Sequence, residues 1–444
     1  MSEITRVALD AMGGDNAPRE MVKGAVEAVR KRKDIKVLLT GKEDVIRKEL
    51  SAYTYPEEQI EIVNATEVIE TAEPPVKAIR GKKDSSIVVA MKMVKKGEAD
   101  AFVSAGSSGA VLVGGQVLVG RIKGVERPPL APLIPTLKGV SLLIDCGANV
   151  DARPSHLVQF AKMGSIYMES VMGKKNPTVG IVNIGAEEEK GNALVKETFP
   201  LLKECPDINF IGSVEARDIP YGAADVIVCE AFAGNIILKL YEGVAGALLK
   251  KVKKGMLSSL RSKIGALLVK PALKGVLKDF DTSEYGGAPL LGLNGLVVKT
   301  HGSSKSKEVC NSIIQCVAFK EQKINEKIKE AIQQETLEEK KEVTIEDNKF
   351  TGNIYVDNST NITYIYPKYT TVNVNNETVI EVADHPLIYN PESKTYYVYD
   401  QTTNNYYYIN YEAVHAPLFG VYLENRLQIA NSVLTSVLHA ICER

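Results

Sequence analysis

The stretch D-A-F-V-S-A-G-S-S-G-A at residues 100–110 decides the fold of this chain. A short apolar run leads into a loop of glycine and serine, and a small apolar helix is expected to leave it. Because glycine has no side chain, backbone N–H groups in such a loop can approach an anion, and serine hydroxyl groups add donors. On its own, a glycine-serine turn of this kind is more often a plain connection. The candidate phosphate-binding residues are Ser104, Gly106, Ser107, Ser108 and Gly109.

The residues around this loop repeat one pattern. From residue 5 to about 320, short runs rich in Val and Ile alternate with small polar loops and with segments of helical periodicity. This alternation predicts an α/β fold, with an open, mostly parallel sheet and helices on both faces. The predicted strands are Arg6–Asp10, Val37–Thr40, Ile60–Val63, Ala101–Ser104, Ser141–Asp145, Val179–Asn183, Asn209–Ile211, Val226–Cys229 and Leu296–Thr300.

Six loops that follow predicted strands combine glycine with short polar side chains. In open α/β sheets, ligands bind outside the carboxyl ends of the strands. Turn formation and helix capping explain any one of these loops, but six at one edge of one sheet predict a polar crevice that accepts an anion. They are D-A-M-G-G-D (10–15), S-A-G-S-S-G (104–109), D-C-G-A-N (145–149), N-I-G-A-E-E-E-K-G-N (183–192), E-A-F-A-G-N (230–235) and H-G-S-S-K-S (301–306).

The composition is that of a soluble globular protein with room for two or three domains, since 45% of its 444 residues are hydrophobic and 25% are charged. The longest apolar runs, such as 110–119, are about half as long as a bilayer requires, and no signal peptide is evident. Six cysteines without a C-x-x-C pair predict reduced thiols in the cytoplasm. Neither a metal site nor a cofactor is predicted.

Charge is divided unevenly along the chain. Residues 1–334 carry 47 basic and 40 acidic side chains, whereas residues 335–444 carry 7 and 15. The net charge is therefore +7 for the first part and −8 for the second. A basic body suits acidic or anionic partners, and we expect the acidic remainder to be a separate unit.

The segment 243–278 contains nine basic residues and no acidic one. Its apolar residues recur at intervals of three and four, which predicts a basic amphipathic helix or helix pair with a break at Lys270–Pro271. Such a segment can be an ordinary surface helix, or it can bind a membrane surface or an acidic protein. The candidate membrane-docking residues are Met256, Leu260, Lys263 and Ile264.

The C-terminal part has a different texture. Residues 335–349 form an acidic linker or helix end, and 13 of the 19 tyrosines lie beyond residue 350. The segments 389–397 and 399–407 repeat with a period of ten, which predicts successive hairpins with tyrosine pairs across the strands. We therefore expect 350–444 to be a small Tyr/Asn-rich β-hairpin module, with an amphipathic helix over Tyr422–Cys442. A peptide-binding surface is the alternative.

Taken together, the motifs of residues 4–330 resemble the PlsX phosphate acyltransferases of bacterial phospholipid synthesis, whereas residues 335–444 match nothing in that family. The resemblance is carried by V-A-L-D-A-M-G-G-D (7–15), S-A-G-S-S-G-A (104–110), G-R-I-K-G-V-E-R-P (120–128), L-I-D-C-G-A-N-V-D (143–151), G-N-A-L-V-K-E-T-F (191–199), F-I-G-S-V-E-A-R-D (210–218), Y-G-G-A-P-L-L-G (285–292) and H-G-S-S (301–304).

The resemblance implies that a fatty acyl group passes from acyl-acyl carrier protein to inorganic phosphate, giving an acyl phosphate and free carrier. It implies a fold similar to phosphate acetyltransferases and isocitrate dehydrogenases. The expected partners are the carrier protein, phosphate, the membrane surface, a second copy of the chain in a homodimer, and a downstream glycerol-3-phosphate acyltransferase that uses the acyl phosphate. No nucleic acid partner is expected.

Within that reaction we expect Ser104–Gly109 to hold phosphate, and Asn149, Asn235 and His301 to line the acyl thioester end. A helix-capping role for His301 is equally compatible with the sequence. Three aspartates, at positions 10, 15 and 145, are expected to organise loops, because bare carboxylates would repel phosphate. Lys305 and Arg80 are candidate cations.

The sequence departs from the family pattern at two places. Residues 230–235 read E-A-F-A-G-N where D-G-F-T-G-N is usual, and Lys305 stands where an acidic residue is common. Two alternatives stay open, and the altered 230–235 loop supports only the second. One is a coenzyme A dependent phosphate acetyl- or butyryltransferase, and the other is a non-catalytic membrane-associated scaffold.

Overall fold

The computed structural model describes residues 4–336 and, further on, the strands 341–345, 350–357, 362–367, 372–374, 378–380, 387–390, 395–400 and 405–410. The chain divides into two compact units, Met1–Glu330 and Ala331–Arg444. The first unit contains the α/β pattern and all six candidate site loops.

The first sheet has six strands in the order β10-β11-β4-β1-β2-β3. Five of them are parallel, and β10 runs antiparallel at one edge. Its strands are β1 (Thr5–Asp10), β2 (Ile35–Gly41), β3 (Ile60–Asn64), β4 (Ala101–Ser104), β10 (Ala288–Pro289) and β11 (Leu296–Lys299).

The second sheet has five strands in the order β5-β6-β9-β7-β8, of which only β5 is antiparallel. Its strands are β5 (Leu133–Thr136), β6 (Gly139–Ile144), β7 (Thr178–Asn183), β8 (Asn209–Glu215) and β9 (Val226–Val228). The predicted α/β class is confirmed, and all nine predicted strands are present. The expectation of a single sheet is wrong, because alternating strands and helices do not specify which strands pair.

The sequence pattern misses β5 and β10, the antiparallel strands of these two sheets. Each contains a proline, Pro135 or Pro289, and each lies at the edge of its sheet. Proline has no backbone N–H to donate and is confined to such edges. Short edge strands that contain proline have few Val and Ile residues, and those residues are what marks the buried parallel strands in the sequence.

Helices cover both faces of the first sheet. The helix α4 packs on β1, β2 and β4, whereas α1 and α10 pack on each other and on the same sheet. The helices are α1 (Arg19–Lys31), α2 (Glu43–Leu50), α3 (Pro75–Gly81), α4 (Ser86–Lys96), α5 (Ser108–Gly114), α6 (Pro154–Ser170), α7 (Ala193–Glu204), α8 (Ala231–Met256), α9 (Leu260–Asp279), α10 (Ser306–Glu321) and α11 (Ile324–Thr336).

The basic segment forms the helix pair α8 and α9. The predicted break at Lys270–Pro271 is wrong, because Pro271 lies inside α9 and the chain turns at 257–259. The hydroxyl of Ser259 accepts the N–H of Ser262 at 3.1 Å and so caps α9. Pro271 leaves one carbonyl without its helical donor, and water can reach that carbonyl because this part of α9 is exposed.

Both helices of the pair expose apolar side chains. Leu260 is 75% exposed and Ile264 is 56% exposed, Lys263 is exposed, and Met256 is half-buried. By length and composition alone, α8 could cross a membrane, and it is the one such helix among the described residues. Its sequence is apolar on average but is interrupted by Lys239 and Glu242, so it contains no unbroken apolar run of that length.

The second unit contains a six-stranded antiparallel sheet and a separate pair of strands. The sheet order is β12-β13-β14-β17-β18-β19, and its register places Tyr389 opposite Tyr396 and Tyr399 opposite Tyr406. The strand β12 lies inside the predicted acidic linker, and the predicted helix over Tyr422–Cys442 lies outside the described residues. The strands are β12 (Lys341–Ile345), β13 (Phe350–Asp357), β14 (Ile362–Pro367), β15 (Val372–Val374), β16 (Thr378–Ile380), β17 (Leu387–Asn390), β18 (Thr395–Asp400) and β19 (Asn405–Asn410).

Candidate active site

Three polar residues lie side by side at the carboxyl ends of adjacent strands in the first sheet. They are Asp10 on β1, Ser104 on β4 and Lys299 on β11, and Lys299 is the register partner of Ser104. Two positions earlier on each strand, the side chains belong to one apolar cluster beneath α4. Because side chains alternate along a strand, the three polar residues project to that same face of the sheet.

Asp10 and Ser104 hold the loop at 104–109 in place. The buried hydroxyl of Ser104 donates to the Asp10 carboxylate at 2.7 Å and accepts the N–H of Gly106 at 2.9 Å. Burial raises the pKa of Asp10, while hydrogen bonds from Ser86 and Ser104 oppose that shift. The Ser104 hydroxyl and the Gly106 N–H are therefore occupied by hydrogen bonds within the protein, and these bonds stabilise the loop.

Three glycine loops of the first sheet meet above this row. A Cβ atom on Gly13 would lie 2.7 Å from the Gly106 nitrogen, and one on Gly14 would lie 2.8 Å from the Ala105 Cβ. The N–H of Asp15 donates to the carbonyl of Gly302 at 2.8 Å. The close backbone approach explains why glycine occupies positions 13 and 14. It also joins loops 10–15, 104–109 and 301–306 into one surface.

The start of α5 offers the free donors of this surface. Ser107 caps the helix, with its hydroxyl 3.4 Å from the Ala110 nitrogen. Within the described residues, the backbone N–H groups of Ser107, Ser108 and Gly109 donate to no other atom, and the Ser108 side chain is exposed. Gly109 has a second reason to be glycine, because a Cβ atom there would lie 2.4 Å from Pro75 at the start of α3.

Lys299 is the cation that the sequence pattern did not reveal. It is 8% exposed, its ammonium donates to the carbonyl of Thr300, and burial lowers its pKa to about 8 against the opposing effects of Glu308, Asp10 and Asp15. A lysine that ends an otherwise apolar strand was the available signal. The two predicted cations, Lys305 and Arg80, are both exposed.

His301 lies in the same group of loops and is exposed. Its Nδ1 accepts the backbone N–H of Ser303 at 3.2 Å and lies 2.8 Å from the Ser303 hydroxyl. A backbone N–H can only donate, so the neutral imidazole carries its proton on Nε2. That proton is available to a carbonyl or phosphate oxygen. His301 does not cap α10, whose N-cap position is Lys305.

The loop 145–149 belongs to the second sheet and is organised by Asp145. This buried carboxylate accepts N–H groups from Leu130, Ala148 and Asn149 at 2.8 to 3.2 Å. Burial raises the pKa of Asp145 to about 6. The side-chain amide of Asn149 donates to Asp145 and to the carbonyl of Pro128, so both of its N–H groups are occupied. Asn149 therefore braces this loop and has no free N–H for a thioester.

The variant loop 230–235 forms the start of α8. Glu230 caps the helix by accepting the N–H groups of Phe232 and Ala233, and Ala231 is fully buried. A Cβ atom on Gly234 would lie 1.9 Å from the Asp145 carbonyl oxygen. The helix thus begins in contact with loop 145–149 despite the departures from the family pattern. Asn235 follows in the first turns and is half-buried.

The predicted site residues accordingly fall into two groups. The phosphate loop and His301 follow strands of the first sheet, whereas Asn149 and Asn235 follow strands of the second. The groups are linked through Ala148, which packs against the apolar cluster of the first sheet. Of the six loops predicted to lie at one sheet edge, three therefore follow strands of the first sheet and three follow strands of the second.

The comparisons with known proteins agree with this division of the chain. Residues 5–327 match the model of a family described as fatty acid synthesis protein. A phosphate acyltransferase of Clostridium novyi (strain NT) is 51% identical over 332 residues, which cover 75% of this chain and 100% of the relative. A phosphate acyltransferase of Alkaliphilus oremlandii (strain OhILAs) is 53% identical over 327 residues, covering 74% and 97%.

Among solved structures, a phosphotransacetylase from Streptococcus pyogenes aligns with a TM-score of 0.49 and 16% identity, over 72% of this chain and 95% of that chain. The family match covers more than half of the chain, and the two curated relatives are matched over nearly their whole length. The chain therefore belongs to the fatty acid synthesis protein family and, within it, to the phosphate acyltransferases.

Proposed function

We propose that the enzyme transfers a fatty acyl group from acyl-acyl carrier protein to inorganic phosphate, yielding an acyl phosphate and free carrier. The observation that carries this proposal is the meeting of loops 10–15, 104–109 and 301–306 above Lys299, in a member of the phosphate acyltransferases. Free backbone N–H groups at the start of α5 and one buried cation suit a phosphate dianion.

The reaction needs no protein nucleophile. Phosphate monoesters lose their second proton near a pH of about 6, and inorganic phosphate does so close to neutral pH, so a large share of it is dianionic without help from a base. One of its oxygens attacks the thioester carbonyl, the C–S bond breaks, and the sulfur leaves readily as thiolate, because the pKa of an ordinary thiol is only about 8.5. The proton that the attacking phosphate carried passes to the thiolate, which gives the free carrier thiol. The protein holds the dianion at Ser107–Gly109 and Lys299, and positions it against the carbonyl.

His301 serves the carbonyl end. With its proton on Nε2, it donates to the oxyanion that develops on the thioester. Asn235, half-buried at the start of α8, is the second candidate donor. Asn149 acts indirectly, since both of its N–H groups hold the loop of Asp145. Phosphate therefore binds to the loops of the first sheet, and the acyl group lies toward the second.

The deciding assay supplies long-chain acyl-acyl carrier protein and phosphate, and measures free carrier and hydroxylamine-reactive acyl phosphate. We expect both products in equal amounts. A parallel reaction with acetyl- or butyryl-coenzyme A tests the alternative enzyme. Preference for the short coenzyme A thioester would show that the acyl donor is a coenzyme A thioester and not acyl-acyl carrier protein. The absence of any turnover would favour the non-catalytic scaffold.

The enzyme is a cytoplasmic homodimer that docks peripherally on the membrane through α8 and α9, and it passes acyl phosphate to a glycerol-3-phosphate acyltransferase. The support is chemical. Leu260 and Ile264 are exposed apolar side chains among nine basic residues, a composition that binds anionic lipid surfaces. A long-chain product also partitions toward lipid, where its consumer would take it.

If α8 and α9 dock on the membrane, Leu260→Glu should weaken membrane binding, because it places a negative charge in the apolar face. In flotation with vesicles that contain phosphatidylglycerol, wild type should float and Leu260→Glu should stay largely in the soluble fraction. Leu201→Glu is the matched control, because Leu201 is 45% exposed and lies on α7, outside the helix pair α8 and α9. Equal flotation of wild type and Leu260→Glu would rule out this docking surface.

A further inference from the structure

A cavity of about 600 Å³ opens at the carboxyl ends of β7, β8 and β9. Its size is within the range of roughly 300–1,000 Å³ that is usual for small-molecule sites. Most of its wall is apolar and comes from β7, α7 and the start of α8, with Ile181, Leu194, Val195, Phe232, Ile236 and Ile237 as the main contributors.

The polar side chains that line this cavity already have partners. Asn183 donates to the Lys190 carbonyl and the Ser213 hydroxyl, and Arg217 pairs with Glu215. The remaining two, Asn192 and Glu230, cap α7 and α8. The cavity therefore offers contact area without unpaired polar groups, which suits an aliphatic chain better than a polar ligand.

The cavity lies directly beside the second group of site loops. Ala233 lines it, and the next residue, Gly234, lies so close to the Asp145 carbonyl that a Cβ atom would not fit there. Ala231 donates its N–H to the carbonyl of Asn149 at 3.1 Å. One turn of α8 thus separates the apolar cavity from the loop that we place at the thioester end of the substrate.

From these contacts we infer that the cavity binds the acyl chain of the substrate, with the carboxyl end of the chain toward loop 145–149. The inference rests on the proposed function, since it assigns a place to the acyl donor. A chain that outgrows the cavity meets Phe232 and Ile236 at its rim. Leu240, one turn further along α8, continues this apolar stripe as an exposed side chain.

The test fills the cavity and compares acyl chain lengths. Leu194→Trp should lower kcat/KM for palmitoyl-acyl carrier protein about tenfold, while octanoyl-acyl carrier protein changes by less than about twofold, since each methylene that loses its contact costs roughly fourfold. Leu201→Trp is the matched control, because Leu201 lies on the same helix, is 45% exposed and lies outside the cavity. It should retain the wild-type ratio.

Ile236→Trp repeats the experiment at the rim, on α8, and thermal melting shows that each variant is folded. An equal loss for both chain lengths, or an unchanged ratio in both folded variants, would overturn the inference. Binding of cis-parinaric acid tests the acyl-chain cavity independently of the proposed acyl transfer. Wild type should bind the probe and Leu194→Trp should bind it at least about tenfold more weakly, even if no acyl transfer is found. Equal binding would also overturn the inference.

Discussion

Lys299 carries its charge in a place where a charge is costly. Burial lowers its pKa from the ordinary 10.5 to about 8, so holding it ionised at pH 7 costs roughly 3 kcal/mol of folding free energy. The unfolded chain binds more protons than the folded one between those two pKa values. Stability therefore rises with pH across that window, and a bound dianion would repay the cost at lower pH.

Replacement of Lys299 by methionine should separate function from stability. We expect Lys299→Met to raise the KM for phosphate at least about tenfold without lowering the melting temperature at pH 7. In wild type the KM for phosphate should rise above pH 8, as the ammonium loses its proton, and the variant should lack that rise. Lys305→Met is the control. A melting temperature far below wild type would indicate a structural role instead.

Two serines of the phosphate loop should behave differently. Ser108→Ala removes an exposed hydroxyl and should raise the KM for phosphate by roughly tenfold, the value of one hydrogen bond to a charged ligand, with stability unchanged. Ser104→Ala removes one of the hydrogen bonds to the buried Asp10 carboxylate and leaves the buried Gly106 N–H without its acceptor, and should cost about 1–3 kcal/mol of stability by denaturant unfolding. Equal effects of both on stability would contradict this distinction.

At the scale of elements, α8 makes a contact that its sequence does not reveal. Its first turn touches loop 145–149, and its middle and end are exposed. Gly234→Ala should therefore be damaging although alanine favours helices, because the added methyl meets the Asp145 carbonyl. We expect a loss of about 1–3 kcal/mol in unfolding free energy together with a lower kcat. The control is Gly243→Ala on the same helix, where nothing lies within 4 Å.

Strands and loops could be predicted from the sequence because their signals are local. Residues 100–110 indicate a buried strand, a glycine turn and a small helix, and all three are present. The division into two sheets could not be predicted, because pairing depends on contacts between distant segments. The occupied amide of Asn149 was hidden for the same reason, since one of its partners is the Pro128 carbonyl on another loop.

At the scale of the whole molecule, the enzyme body and the C-terminal unit are separable in sequence. The Clostridium novyi relative is matched over 100% of its length by 332 residues of this chain. The second unit starts at Ala331 and α11 ends at Thr336. The proposed phosphate and acyl contacts all lie before residue 310, so none requires the C-terminal unit.

Ending the chain after Thr336 should therefore leave turnover within about twofold of wild type and the melting temperature of the body unchanged. The measurements are the carrier-dependent assay and thermal unfolding of both proteins. If the shortened chain fails to fold, the C-terminal unit completes the core of the body. If it folds but loses turnover, that unit contributes to the active site.

The strand order of the C-terminal sheet has a practical consequence for handling the protein. Its outer strands, β12 and β19, each have one neighbour among the described strands, and the other side of each carries backbone N–H and C=O groups that no described strand pairs. Unpaired edges of this kind recruit strands from other molecules. We therefore expect concentrated samples of the full chain to associate edge to edge more readily than the chain that ends after Thr336, which would make the shortened chain the better material for crystallisation.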